Sequence, residues 1–120
     1  MATILVIEDN PHNLKLAQRV LQKAGHTVLA ADNGDTGLQL AEAQQPDLVL
    51  MDVQMPDKDG LTVTRLLKQN AKTAHIKVVA LTALAMKGDA ERFMAAGCDG
   101  YLAKPYHYHE LIETVERMLA

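Results

Sequence analysis

Five short, largely apolar runs punctuate the chain: Thr3–Ile7, Thr27–Ala30, Asp47–Met51, Ile76–Leu81 and Gly100–Ala103. Most are continuous rather than alternating, the pattern of strands covered on both faces. Between them apolar residues recur at helical spacing. Leu14, Ala17, Leu21 and Ala24 share one face, with Asn10-Pro11 as N-cap and first-turn proline and Gly25 as the stop. Leu38, Leu40 and Ala41 predict a second helix ending before Pro46, and Leu61, Leu66 and Leu67 a third starting near Gly60. Ala90, Phe93 and Met94 predict a fourth, closed by Gly97. Leu111, Ile112, Val115, Met118 and Leu119 give the clearest stripe, the final helix.

Strand and helix thus alternate five times. Connections of this kind require a parallel sheet with helices on both faces. Right-handed crossovers leave few arrangements. The leading one is the α/β, flavodoxin-like (βα)5 doubly wound sheet with strand order 2-1-3-4-5.

Composition narrows the function classes. The 120 residues, 48% hydrophobic and 22% charged, predict one domain over 1–120, folded without staples. Cys98 alone excludes an internal disulfide framework and a cysteine-rich zinc site. No apolar run reaches membrane-spanning length, and the start of the chain lacks a basic signal region, so a soluble cytoplasmic protein without membrane attachment is expected. Aromatics are only 3% and no basic stripe appears, which argues against a nucleic-acid surface. The net charge of −3 conceals an asymmetry. Residues 1–60 hold four basic and nine acidic side chains, and residues 61–120 hold eight basic and six acidic.

The acidic half gains meaning from the sheet. In such folds ligands bind beyond the carboxyl ends of the strands, near the switch between strands 1 and 3. Strand 1 runs into Glu8-Asp9, strand 3 into Asp52, strand 4 into Thr82 and strand 5 into Lys104-Pro105. Three neighbouring carboxylates repel one another unless a cation sits among them. Hard oxygen donors suit Mg²⁺, with Mn²⁺ as an alternative. A lysine ammonium and a threonine hydroxyl opposite that cation complete a site for a phosphoryl group, and the central carboxylate has the character of a nucleophile. Each residue alone has a plainer reading, as helix cap, turn acid or solvated lysine. Their joint placement at one edge is what points to function.

The same residues carry a resemblance. Glu8-Asp9-Asn10, the run Pro46–Pro56 around Asp52, Asp59-Gly60, Leu81-Thr82-Ala83 and Lys104-Pro105 resemble the receiver domain of bacterial response regulators over essentially the whole chain. The resemblance implies Asp52 as phosphoacceptor, Glu8 and Asp9 as the Mg²⁺-binding pair, and Gln54 as a metal ligand through its backbone carbonyl. It implies Lys104 as the phosphoryl-contacting lysine, Thr82 as the switch hydroxyl and Tyr101 as the switch aromatic, with a cis bond before Pro105. The implied partners are a sensor histidine kinase or histidine phosphotransfer protein and a downstream protein target, the chain being a monomer or weak homodimer. With nothing after Ala120 to serve as an output domain, a signalling switch rather than an enzyme acting on other substrates is expected. Ala74-His75-Ile76 and the segment Ala85–Arg92 resemble single-domain receivers and receivers of hybrid kinases. Glu8, where aspartate is commoner, lengthens one arm of the metal side.

Two rival chemistries use similar sheets. A haloacid-dehalogenase-type phosphatase needs a second acid two residues after its nucleophile, where this chain has Gln54. A flavin carrier needs a phosphate-cradling first loop, where Glu8-Asp9 would repel phosphate. Other features read as structural. His107 and His109 fall on different faces of the last helix, Cys98 is expected to be half-buried, and the methionines fill core and loops. Tyr106 and Tyr108, near Tyr101, suit either packing of the last helix or a partner surface.

Overall fold

The computed structural model describes residues 2–55, 58–83 and 89–120. Its strands are β1 (Thr3–Ile7), β2 (Thr27–Ala31), β3 (Leu48–Asp52), β4 (Lys77–Thr82) and β5 (Gly100–Ala103). Its helices are α1 (Pro11–Lys23), α2 (Gly34–Gln44), α3 (Gly60–Gln69), α4 (Asp89–Ala96) and α5 (Tyr108–Leu119). The strands are all parallel and lie in the order β2-β1-β3-β4-β5, the flavodoxin-like arrangement expected from the alternation.

The continuous apolar strands are explained by burial on two sides. Leu5, Ile7, Val49, Met51, Val78 and Ala80 face one core with Ala41 of α2, Leu61 and Leu67 of α3, and Phe93 of α4. Their chain neighbours Ile4, Val6, Leu48, Leu50, Val79 and Leu81 face the other, with Ala17 and Leu21 of α1 and Leu111 and Val115 of α5. The twelve sheet residues are at most 1% exposed. At roughly 1.5–3 kcal/mol for each large aliphatic side chain, these two layers dominate the favourable side of folding.

Boundaries shift by a residue at the ends that matter. Asp47 lies outside β3 and instead accepts the Thr3 N–H on its Oδ2 at 2.8 Å. Ile76 closes a turn by donating its N–H to the Thr73 carbonyl at 3.0 Å. Asp52 and Thr82 are the last residues of their strands, so the sheet itself fixes their backbones. The helix stops follow the expected chemistry at Gly25 and Gly97, with φ of +97° and +104°. Cys98 is fully buried, not half-buried, because its thiol packs under α3 beside Thr64. Met51 and Met55 are core, as expected, but Met94 is 56% exposed; Met86 lies outside the described residues.

Candidate functional site

The strand order reverses direction between β1 and β3, and the candidate residues flank that crevice. Glu8 and Asp9 follow β1, and Asp52 ends β3. Thr82 ends β4, and Lys104 follows β5, its N–H bonded to the Thr82 carbonyl at 2.7 Å. Glu8, Asp52 and Thr82 are buried, while Asp9 and Lys104 are half-buried and Gln54 is exposed.

The carboxylates sit close together. Glu8, Asp9 and Asp52 each offer an oxygen within 4.8 Å of the others. Lys104 Nζ donates to Glu8 Oε1 at 2.7 Å and approaches Asp52 Oδ1 at 3.4 Å. Asp52 Oδ1 also accepts the Gln54 N–H at 3.2 Å, so Gln54 backbone lies beside the central carboxylate. The Lys104–Pro105 bond is cis.

Electrostatics follow from crowding. Burial, then the hydrogen bond and charge of Glu8, push the Asp52 carboxyl up to about 8, against the pull of Lys104. Burial also works against the Glu8 charge, but hydrogen bonds with Asp52 and Lys104 outweigh it and hold Glu8 below its ordinary range. Lys104 loses hydration as well, yet its contacts with Glu8 and Asp52 hold the ammonium above the usual lysine range. Among the described residues, one lysine against three carboxylates leaves the crevice short of positive charge. A compact set of hard oxygen donors with that deficit fits a divalent cation such as Mg²⁺.

Local supports explain why these residues hold their places. Asn10 caps α1, accepting the His12 and Asn13 N–H groups on Oδ1 at 3.0 and 3.2 Å. That fixes the turn carrying Glu8 and Asp9. Gly60, at the start of α3, donates its N–H to the Val53 carbonyl at 2.9 Å. A Cβ there would collide with the Asp52 carbonyl oxygen and come within 2.8 Å of Val53 Cα. Gly60 therefore lets α3 press against the backbone of Asp52, a role its motif position alone does not reveal. Lys58, bonded to Asp35 at 2.8 Å, ties the segment after β3 to the start of α2; no pattern of spacing links those two residues. Pro56 lies outside the described residues, as do residues 85–88 of the Ala85–Arg92 motif.

Tyr101 is 43% exposed, with its ring centroid 5.7 Å from that of Phe93. Tyr106 packs against the core on the α1–α5 side, whereas Tyr108 is exposed. His107 serves as the N-cap of α5 with Glu110 accepting its N–H at 3.1 Å, and no metal cluster includes it among the described residues.

Comparison with known proteins agrees with this geometry. Residues 4–116 match the family described as response regulator receiver domain. The polar-differentiation response regulator DivK of Brucella anthropi is 41% identical over 117 residues, covering 98% of this chain and 95% of that protein. The receiver domain of sensor histidine kinase PA1611 from Pseudomonas aeruginosa, with a magnesium ion coordinated in its active-site cleft, is 35% identical with a TM-score of 0.90, covering 98% and 97% of the two chains. Chemotaxis protein CheY4 of Vibrio cholerae is 26% identical with a TM-score of 0.94, covering 99% of each. Receiver domains act as phospho-signalling switches with an acidic Mg²⁺ pocket. With the crevice, its acids and its lysine all in that arrangement, the chain belongs to the response regulator receiver domain family.

Proposed function

We propose that this chain accepts a phosphoryl group on Asp52 from a phosphohistidine of a sensor kinase or phosphotransfer protein. The observation that carries this is the setting of Asp52: 4% exposed, at the end of β3, within the acidic cluster and 3.4 Å from Lys104. Glu8, Asp9, Asp52 and the Gln54 backbone carbonyl would hold Mg²⁺, with Mn²⁺ as an alternative. When bound, that cation supplies charge screening between carboxylate and phosphoryl oxygens.

The chain's own residues do the rest. An Asp52 carboxylate oxygen bonds to phosphorus as the phosphorus–nitrogen bond of the donor breaks, and the imidazole keeps the electron pair and takes up a proton. Lys104 holds a phosphoryl oxygen as a point charge. Thr82, beside Lys104 through the bond to its carbonyl, turns its hydroxyl to another. Tyr101 moves inward from its exposed position, changing the face made by α4, β5 and α5. A downstream protein, or an onward phosphotransfer step, reads that change as a shift in population between two surfaces. Attack by water on phosphorus returns Asp52 to its carboxylate, so the chain catalyses only its own phosphorylation and dephosphorylation.

Intact-mass spectrometry after incubation with acetyl phosphate and Mg²⁺ tests the reading. One phosphoryl adduct is expected on the wild type, and none with EDTA or on Asp52→Asn. A full adduct surviving on Asp52→Asn would assign the acceptor elsewhere.

A further inference from the structure

Glu8 and Lys104 lie at opposite sides of the crevice, 96 residues apart, and they make its shortest ion pair. The ammonium is 2.7 Å from Glu8 Oε1 but 3.4 Å from Asp52 Oδ1. The first is a charge-assisted hydrogen bond; the second exceeds the usual range for one. The lysine's principal partner is therefore the acid after β1, reached across the end of β3, and not Asp52.

The length of Glu8 makes this contact. An aspartate in the same place would withdraw the carboxylate by roughly one carbon–carbon bond, about 1.5 Å, which breaks a 2.7 Å contact without moving either backbone. The Glu8 side chain is 3% exposed, so water cannot readily substitute for the ammonium on that oxygen. Its other oxygen faces the Asn10 N–H at 3.5 Å. Oε1 is thus the oxygen the protein holds closely, the Asn10 contact being longer than the usual hydrogen-bond range.

We propose that Glu8 is the positioning residue for Lys104, and that the Lys104 ammonium and a divalent cation compete for its one carboxylate. This rests on the reading of the acidic edge as a Mg²⁺ site, and deepens it. Glu8 can turn its anchored oxygen to a cation only once Lys104 has left it. Lys104 then becomes available to a phosphoryl group at the moment when the site is charged to receive one. Arm length at position 8 sets how firmly the lysine is held back.

Competition differs from simple repulsion in a way that can be measured. A bystander lysine would weaken Mg²⁺ binding by the same factor whatever residue stood at position 8. A competing lysine weakens it only while Glu8 can hold the ammonium. The test is a double-mutant cycle read by calorimetric titration of MgCl₂ into the EDTA-treated, unphosphorylated chain. Lys104→Met should tighten Mg²⁺ roughly tenfold on the wild-type background and about threefold or less on Glu8→Asp, within the usual range of coupling between sites. Glu8→Gln, which keeps the length and loses the charge, should shrink the gain likewise, and serves if Glu8→Asp folds poorly. The Lys104 ammonium resonance of the wild type should also move with the same Mg²⁺ midpoint as the calorimetric curve. Equal gains from Lys104→Met on every background, or a stationary Lys104 resonance, would overturn the proposal while leaving the Mg²⁺ site intact. No Mg²⁺ binding by the wild type would instead overturn the reading of the site itself.

Discussion

At the scale of single residues, the site depends as much on what is missing as on what is charged. Gly60 has no Cβ, and its place is where one would strike the carbonyl of Asp52. Gly60→Ala must push α3 away from β3 or twist the backbone of Asp52. Overpacking of this kind costs about 1–3 kcal/mol. Urea denaturation followed by circular dichroism should register that loss, and phosphorylation by acetyl phosphate should slow, because the Asp52 carboxylate turns with its backbone. A Gly60→Ala variant as stable and as readily phosphorylated as the wild type would show that α3 can shift freely. The charged members are legible in the sequence because strand ends deliver them to one edge. Gly60 is legible only as a motif letter. Its physical role needs the packing of α3 on the strand end, which no local pattern encodes.

At the scale of elements, local chemistry and long-range contacts divide the work. The start of α1 is set locally: Asn10 accepts two N–H groups and Pro11 follows at the first helical position. Asn10→Ala should lower stability by about 1 kcal/mol. Because that cap also shapes the turn holding Glu8 and Asp9, Mg²⁺ affinity should weaken with it. A stability loss with unchanged Mg²⁺ binding, measured by calorimetry, would show that the cap supports the helix alone. The end of α2 is different. Pro46 marks the stop, but the residue that makes it is Gln45, in the left-handed region at φ +50°. Its amide bonds the Glu42 carbonyl at 3.1 Å and the Lys72 carbonyl, 27 residues away, at 2.9 Å. A glutamine in place of the usual glycine is legible only once that distant partner is known. Lys68 likewise joins the Ile76 carbonyl and Asp99 at 2.7 and 3.1 Å, binding the segments that lead into β4 and into β5. Strand and helix order can be read from the sequence because burial on both faces leaves continuous apolar runs. These ties cannot, because each is a single polar pair between distant segments. Buried Cys98 is a further instance: its position after Gly97 points to partial exposure, and only the packing of α3 over it decides otherwise.

For the whole molecule, the crowded crevice couples folding to pH. Asp52 titrates near 8 when folded and near the ordinary aspartate value, about 3.9, when unfolded. Between those values the folded chain binds more protons than the unfolded one, so stability falls as pH rises from about 4 to about 8. Glu8 acts in the opposite sense, since its folded value is depressed: its contribution is present above the ordinary glutamate range and is lost as pH falls below it. The two windows barely overlap, which isolates Asp52 above about pH 5. In EDTA, the melting temperature of the wild type should therefore decline from about pH 5 to about pH 8.5, and Asp52→Asn should flatten that decline. At the alkaline end the variant should be the more stable by an amount on the order of 1–3 kcal/mol, below the full linkage figure because the crevice can relax when Asp52 ionises. Mg²⁺ should lift the wild type there, by about 2.7 kcal/mol at roughly a hundredfold excess over its dissociation constant, and lift Asp52→Asn less. Parallel pH slopes for wild type and Asp52→Asn would mean that another group carries the linkage. The same instability that the acids impose on the folded chain is what a divalent cation relieves, so the site's affinity and the protein's pH sensitivity should rise and fall together as its charges are removed.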